Sequence, residues 1–504
     1  MVTAIRDFLL AQGKNKINEP GETGNMSEMD AGLSELPDGW AWLTVGSAIT
    51  KVALTGKKLK QKNYEGAGKL PVIDQGLPFI GGYTNDEELK VECQLPVVIF
   101  GDHTKVFKYV DFDFVAGADG IKVIRPQEMY YPKLFFYFAQ ATSLPEKGYA
   151  RHFQFLEKAQ IPLPPLPEQH RIVAKIEELF TKLDAGIDAL HKVGAQLKRY
   201  RQSVLKAAFE GKLTEAWRAE HQDEIEPTSV LLERVLKERR GRWEAEQLEQ
   251  MKARGQIPKD DKWKTKYKEP AVPDTSELPE LPKRWIWATI EQLLTKIQYG
   301  SSRKTSDDAS GVPVLRMGNI VEGKIVRDNL KYLPKEHDEF PELLLNTGDL
   351  LFNRTNSREL VGKTSVYTGN PNPCSFASYL IRVRFNPRID SLIVAHYINS
   401  VYGKNWILSV VSQQAGQANV NGTKLKLLSV PIPPEKEQRV LVEEIERRLS
   451  VADEAEKTVT TELKRAEQLR QSILKKAFSG KLVPQDPNDE PASVLLERIR
   501  AEKS

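Results

Sequence analysis

Val361-Gly362-Lys363-Thr364 is the combination in this chain that comes nearest to catalytic machinery. Gly-Lys-Thr ends the phosphate-cradling loop GxxxxGK[ST], where backbone amides and the lysine hold a nucleotide's phosphates at the start of a helix. The first glycine of that loop would fall at 357, which is Ser357, and Ser365-Val366-Tyr367-Thr368-Gly369 reads as strand. A strand is therefore expected here, not a nucleotide site. Asn370-Pro371-Asn372-Pro373 shares Asn-Pro with the Asn-Pro-Pro-aromatic motif of adenine methyltransferases but lacks the aromatic, and no glycine-rich cofactor loop follows a strand upstream. It reads as a loop turn. The seven histidines (103, 152, 170, 191, 221, 337, 396) form no His-x-x-x-His pair, and Cys93 and Cys374 have no CxxC partner, so a structural zinc is not expected. Neither a Ser/His/Asp nor a Cys/His arrangement is legible.

The bulk numbers bound the class. A chain of 504 residues, 40% hydrophobic and 28% charged, can build several packed domains. A net charge of +4 is small for this length, so any basic surface must be local. Two distant cysteines fit a reducing compartment. No apolar run reaches membrane-spanning length and the N-terminus lacks the regions of a secretory signal, so a cytoplasmic protein is expected.

The elements that would position any site are written twice. Ile161-Pro162-Leu163-Pro164-Pro165-Leu166-Pro167-Glu168-Gln169 returns 269 positions later as Val430-Pro431-Ile432-Pro433-Pro434-Glu435-Lys436-Glu437-Gln438. At the same shift, Arg201-Gln202-Ser203-Val204-Leu205-Lys206 returns as Arg470-Gln471-Ser472-Ile473-Leu474-Lys475, and Gly211-Lys212-Leu213 as Gly480-Lys481-Leu482. An earlier marker, Leu36-Pro37-Asp38-Gly39-Trp40-Ala41-Trp42, matches Leu281-Pro282-Lys283-Arg284-Trp285-Ile286-Trp287 at a shift of 245, so the second intervening block is longer by 24 residues. The order is variable block, shared block, variable block, shared block. Such a duplication implies a pseudo-two-fold molecule.

The variable blocks carry short apolar runs, such as Leu95-Pro96-Val97-Val98-Ile99-Phe100 and Tyr379-Leu380-Ile381-Arg382-Val383-Arg384-Phe385, punctuated by turn residues. They read as mixed, β-rich heads. Two weak anchors relate them: Pro71-Val72-Ile73-Asp74-Gln75-Gly76 against Pro313-Val314-Leu315-Arg316-Met317-Gly318, and a Gly-Asp turn (Gly101-Asp102, Gly348-Asp349). The four tryptophans of the markers read as core anchors.

The shared blocks are helical. Ile172, Ile176, Leu179, Leu183, Gly186, Leu190, Val193, Leu197, Tyr200 and Val204 keep an alternating four-three spacing, a heptad seam. Pro167 and Glu168 suit the first turn and Gly211 the stop, predicting a helix over 167–210 of roughly 65 Å at about 1.5 Å per residue. The second copy has a patchier, alanine-rich seam from Leu441 to Ile473. The economical packing is the two helices against each other, antiparallel. Pro227 and Pro491 each open an echoed short helix. Residues 251–270 hold seven Lys/Arg against three Asp/Glu, with Trp263 and Tyr267 interleaved: either a solvated linker or a phosphate-contacting strap.

In that order and doubled, the Leu-Pro-x-x-Trp starts, the Pro-Pro-x-x-Glu-Gln segments, the Gln-Ser-(Val/Ile)-Leu-Lys helix ends and the Gly-Lys-Leu stops resemble the specificity subunit of Type I restriction–modification systems. The resemblance covers nearly the whole chain. It implies an α+β fold: two mixed β-rich target-recognition domains separated by two long antiparallel coiled-coil helices. The expected division is a lead-in over 1–33, a first head over 34–160, a helical spacer and linker over 161–270, a second head over 271–429 and a second spacer over 430–504. The resemblance further implies a non-catalytic subunit. It would read a split, asymmetric site in double-stranded DNA and scaffold two methylation and two restriction subunits. S-adenosylmethionine, ATP and magnesium would belong to those partners and none to this chain.

To read base edges the heads must offer Arg, Lys, Asn, Gln, Asp or Ser/Thr side chains. In the first head the candidates are Asp74, Gln75, His103, Thr104, Lys105, Lys108, Lys147, Arg151 and His152. In the second they are Arg303, Arg316, Asn353, Arg354, Asn356, Ser357, Arg358, Gln417 and Asn419, with Gln413, Gln414 and Asn421 in the same polar tract. Each is equally readable as an ordinary polar loop residue, and the Gly-Asp pairs read as structural turns. Two other classes stay open: a stand-alone DNA-binding regulator and a coiled-coil adaptor whose β domains bind protein. A fused methyltransferase is disfavoured by the missing cofactor motif.

Overall fold

The computed structural model describes residues 35–118, 120–145, 151–256, 258, 260–414 and 417–502. The lead-in expected over 1–33 and Lys147 lie outside them. The chain folds as two compact units, one made of the described residues up to Val193 together with those from Thr458 onward, the other of Gly194–Lys457.

In each unit the two repeated markers pair with one another. Ala41–Thr44 runs antiparallel to Gln160–Leu163 with Trp42 opposite Pro162. Ile286–Thr289 does the same with Ser429–Ile432, Trp287 opposite Pro431. The Pro-rich stretch can serve as such a strand because this ribbon is two-stranded, leaving each proline an edge where its missing N–H breaks no ladder. A head is thus a loop of chain pinned shut at its base.

Both heads follow one plan. The first has a four-stranded antiparallel sheet in the order Ile49–Lys51, Ile121–Pro126, Val97–Gly101, Phe107–Val110. The second repeats it with Leu294–Tyr299, Leu380–Phe385, Leu350–Asn353, Thr364–Val366. Beside it lies a mixed sheet in which Leu70–Ile73 pairs parallel with Val115–Gly117 and antiparallel with Gly82–Thr84; Val312–Leu315 pairs likewise with Ser375–Phe376 and Lys331–Leu333. The Pro71 and Pro313 anchors therefore mark equivalent strands. The Gly-Asp anchor does not hold: Gly101-Asp102 ends a strand whereas Gly348-Asp349 precedes one, so the counterpart of Gly101-Asp102 is Asn353-Arg354. Asp349 is instead a buried acceptor for both Arg384 Nε (2.6 Å) and Nη2 (2.8 Å). Thr364 opens the strand Thr364–Val366, so Gly362-Lys363-Thr364 precedes a strand and cradles no helix N-terminus.

The long helices are Leu166–Phe209 and Glu435–Phe478, 44 residues each. Gly211 (φ +71°) and Gly480 (φ +68°) stop them in the left-handed region. Gly211 N–H bonds Ala208 O (3.0 Å) and Lys212 N–H bonds Ala207 O (2.9 Å), the Schellman pattern. Within each unit the start of one helix lies beside the end of the other. The first core joins Ile172, Val173, Ile176 and Phe180 to Ile473, Leu474 and Ala477. The second joins Leu441, Val442 and Ile445 to Leu205, Ala208 and Phe209. The helices are therefore antiparallel, as expected. Arg201 bridges Asp453 and Glu456 in one unit, and Arg470 pairs with Asp184 in the other. Tyr200 departs from the seam and is exposed.

The echoed segments also pack alike. Thr228 N–H bonds Arg284 O (3.0 Å), and Ala492 N–H bonds Gly39 O (2.8 Å). Pro227 sits at the N-cap, one position earlier than expected, and its helix runs to Ala253, far longer than the Ala492–Glu502 copy. The basic stretch after it folds back: Trp263 is buried, its ring 5.9 Å from Trp243, and Arg239 donates to the Tyr267 hydroxyl at 2.6 Å.

The Glu-Gln pair at the start of each long helix is the joint between helix and head. Glu168 accepts from the Trp40 indole N–H at 2.9 Å, and Glu437 from Trp285 at 2.9 Å. Gln169 accepts from Tyr131 N–H (2.7 Å) and donates to Met129 O (2.9 Å); Gln438 accepts from Asp390 N–H (2.8 Å). All four side chains are buried. The joints differ in charge. Glu437 also accepts from Thr214 (2.6 Å) and Arg218 (2.5 Å), whereas burial pushes the Glu168 carboxyl above its ordinary value against the opposing pull of the Trp40 N–H. Glu168→Gln keeps an acceptor and removes a charge that burial disfavours, so it should cost at most about 1 kcal/mol. Glu437→Gln leaves Arg218 without its anion in a dry site and should cost about 3 kcal/mol. Denaturant unfolding of the two variants checks the ranking; equal costs would refute it.

Candidate nucleic-acid interface

In the first head, four separate segments meet at one edge. The loop after Leu70–Ile73 brings Asp74 and Gln75, and the turn after Val97–Gly101 brings His103, Thr104 and Lys105. Thr104 Oγ1 donates to Gln75 O at 2.7 Å and His103 N–H to Gln75 Oε1 at 3.3 Å. Gly120 closes over both with φ +69°, and a Cβ there would stand 2.7 Å from Gln75 Oε1 and 2.8 Å from His103 Cδ2. Lys105 takes φ +57°, the left-handed turn position. The fourth segment is Arg151-His152-Phe153: Asp102 O accepts from His152 N–H at 2.9 Å, and Asp102 Oδ1 from Phe153 N–H at 2.8 Å. Asp102 is thus a buried splint between the turn and this segment.

Two of the expected contacts in this head are corrected by burial. His152 is fully buried against Asp102, and Lys108 is only 3% exposed. The Lys108 ammonium donates to Pro78 O (2.6 Å) and faces Asp74 Oδ1 at 3.6 Å; burial lowers its pKa, partly offset by Asp74. Both residues hold the loops from beneath and cannot present their polar atoms to a groove. Arg151 is exposed.

Beside this edge runs an open groove of about 530 Å³ lined by Lys51, Lys58, Lys122, Arg151, Phe153 and Glu157, among others. Lys51 pairs with Glu157 at 2.6 Å, and the Lys51 and Lys122 ammonium groups stand 5.3 and 5.6 Å from the Phe153 ring centroid. Cations exceed anions here, which suits a phosphate backbone. The three lysines come from three distant strands or strand edges, so no local pattern in the sequence announced them.

In the second head, the loop after Leu350–Asn353 and the downstream polar tract form one ribbon. Thr355–Asn356 pairs antiparallel with Gln417–Asn419, which pairs with Ser412–Gln414. Asn419 Nδ2 donates to Thr355 Oγ1 at 3.2 Å. Asn356, Ser357, Arg358, Gln417 and Asn419 are thereby brought together, and Arg358 and Gln417 are exposed. Arg354 lies over the Tyr299 ring at 4.7 Å, with Nε lacking a hydrogen-bond acceptor. Tyr299 and Tyr379, both exposed, flank it and were missed by the sequence reading, which sought polar side chains. Asn353 is a further correction: it is fully buried and ties the loop through backbone bonds to Gly362 and Lys363. Arg316 belongs to a different turn, where it donates to Asn329 O at 2.7 Å, and Arg303 reaches Asp338 at 3.4 Å. Neither side chain bonds to the ribbon.

The arrangement gives each head a rim of polar groups: Asp74, Gln75, His103, Thr104, Lys105 and Arg151 on loops in the first, and Arg354, Asn356, Ser357, Arg358, Gln417 and Asn419 on and beside the ribbon in the second. The profile of the family described as Type I restriction modification DNA specificity domain matches residues 37–192 and 282–465, which take in both rims. The chain belongs to this family. Two curated specificity subunits align along almost the whole length. The EcoKI specificity subunit of Escherichia coli K12 is 25% identical over 94% of this chain and 97% of its own. The StySPI specificity subunit of Salmonella potsdam is 25% identical over 93% and 96%. A solved chain described under complex assembly and conformational transition of the type I restriction–modification system superposes with a TM-score of 0.56 at 17% identity, over 89% of this chain and 99% of that one, and so shares the fold.

For this specificity subunit, two classes of contact can be told apart by experiment. Arg354→Ala should weaken binding to the target duplex by about 1–3 kcal/mol and relax preference at one base pair. Lys122→Ala should weaken binding to target and scrambled duplexes alike and reduce the slope of log K against log salt by about 1. Binding isotherms at several salt concentrations, with the reconstituted complex, distinguish the two; unchanged affinity on both duplexes would sink either assignment.

Proposed function

We propose that this chain reads a bipartite, asymmetric site in double-stranded DNA, one half per head, with the long helices setting the gap between the halves. The carrying observation is that two heads of one plan offer different chemistry at matching positions. After the strand that ends at Ile73 or Leu315 stands Asp74 in one head and Arg316 in the other; past the end of the central strand the turn offers His103 and Thr104 in one and Arg354 in the other. One scaffold with unlike rims is suited to two unlike base sequences. The residues proposed to face DNA are Asp74, Gln75, His103, Thr104, Lys105 and Arg151, with Arg303, Arg316, Arg354, Asn356, Ser357, Arg358, Gln417 and Asn419. Lys51, Lys58 and Lys122 join them for phosphates.

The same reading has the chain scaffold two methylation and two restriction subunits in the cytoplasm, which bring S-adenosylmethionine, ATP and magnesium. Its own work is selection and alignment, for which hydrogen-bonding rims and long helices suffice. The domain limits read from the sequence (34–160 and 271–429 for the heads) stand as part of this proposal.

The helices provide the test. Removing one heptad within 172–204 together with its match within 441–473 shortens both helices by about 10 Å. Methylation mapping of host DNA should then show both half-sites unchanged and the gap shorter by up to about three base pairs, at about 3.4 Å per pair. An unaltered gap would refute the spacer role.

A further inference from the structure

The first head carries an apolar tip whose base, Ile80, packs on a core while Leu77 and Phe79 stand in solvent. Between Gly76 and Gly81 the chain reads Leu77-Pro78-Phe79-Ile80; Leu77 is 86% exposed and Phe79 45%. A single exposed leucine on a protein surface needs no explanation. This one has a built support. Gly76 N–H bonds Asp74 Oδ1 at 2.9 Å, Gly81 N–H returns to Val72 O at 2.9 Å, and the Phe79 ring packs edge-on against Phe112 at 6.1 Å. From beneath, buried Lys108 donates its ammonium to Pro78 O at 2.6 Å. The same ammonium faces Asp74 Oδ1 at 3.6 Å, so one buried lysine ties the tip to the loop from which it springs. It fixes the height and direction of the tip. The tip also continues directly from Asp74 and Gln75, on which the His103-Thr104 turn is hung.

Resting on the DNA reading above, we propose that Leu77, stiffened by Pro78 and Phe79, is a wedge that enters a base step of the first head's half-site, partly unstacks it and bends the duplex there. Apolar side chains on rigid backbone are the means by which proteins pry a step open, and the bend allows more of the protein's surface to meet the DNA. Selectivity follows, because pyrimidine–purine steps open more readily than others. The matching turn of the second head, Arg316-Met317-Gly318-Asn319, also exposes an apolar side chain, Met317 at 38%, but it has no proline and is drawn in: Arg316 N–H bonds Asn319 Oδ1 at 2.9 Å, and Asn319 Nδ2 reaches Asp328 O at 2.9 Å. The wedge is therefore assigned to the first head.

The test uses the complex reconstituted with its methylation subunits and a duplex bearing the mapped target, with 2-aminopurine placed at each adenine in turn. The wild type should show raised fluorescence at a step in the half-site that Arg354→Ala leaves undisturbed. Leu77→Ala should lose most of that rise and weaken specific binding about tenfold, while Leu77→Met retains both. Because Leu77 lies outside the core, its truncation leaves the head folded. Selective binding by the wild type with a rise that persists in Leu77→Ala overturns the wedge and spares the DNA reading. So does a complex that Leu77→Ala loosens on a sizing column with its fluorescence intact, which would make the tip a protein contact. A wild-type complex that selects no duplex overturns the DNA reading and the wedge together.

Discussion

A buried carboxylate facing an indole N–H holds each half of this molecule together. Glu168 and Trp40 in one unit, and Glu437 and Trp285 in the other, tie the first turn of a long helix to the strand where a head begins. The adjoining glutamines fasten the same turn to the head's backbone at Tyr131 and Asp390. Each joint is dry, so an unmade bond is expensive and the geometry is correspondingly strict. A rim of hydrogen-bonding groups can read base edges only if the head that carries it does not rock on its helix.

The joints have diverged where symmetry does not need them alike. Arg218 and Thr214 complete the second, so its carboxylate faces a full positive charge. The first has Arg171 nearby, but Arg171 pairs with Asp489 at 2.6 Å, and burial dominates Glu168. The Gly39 turn that precedes Trp40 is made by Arg284 before Trp285, at φ +73°, a conformation that costs a non-glycine residue about 1 kcal/mol. Thr228 N–H bonds the Arg284 carbonyl, which helps hold the turn.

Period and repetition were legible in the sequence because they are local. The heptad seam with Pro167 and Gly211 gave the first long helix to within a residue at each end, the patchier seam located the second, and the duplicated markers gave the repeated plan. The base of each head, where Trp42 meets Pro162 and Trp287 meets Pro431, was visible only as two unrelated markers, since strand pairing joins residues far apart in the chain. The rims were half legible. Polar loops named Arg354, Arg358, Gln417 and Asn419, yet only the ribbon shows that they belong together. Lys108, His152 and Asn353 looked like readers because type and neighbourhood cannot report burial. The Lys51, Lys58 and Lys122 groove and the Trp243–Trp263 stack depend on tertiary contacts for which the chain has no period.

The joints at Trp40–Glu168 and Trp285–Glu437 enclose the two heads, where the sequences differ most, and leave the repeated long helices outside. A stretch of chain that starts at the first partner and finishes at the second is a cassette with a standard fitting at its base. Substitutions, insertions and even whole exchanges inside the cassette can alter what is recognised without disturbing the helices, which is how the second head can be 24 residues longer than the first and still sit on the same mount.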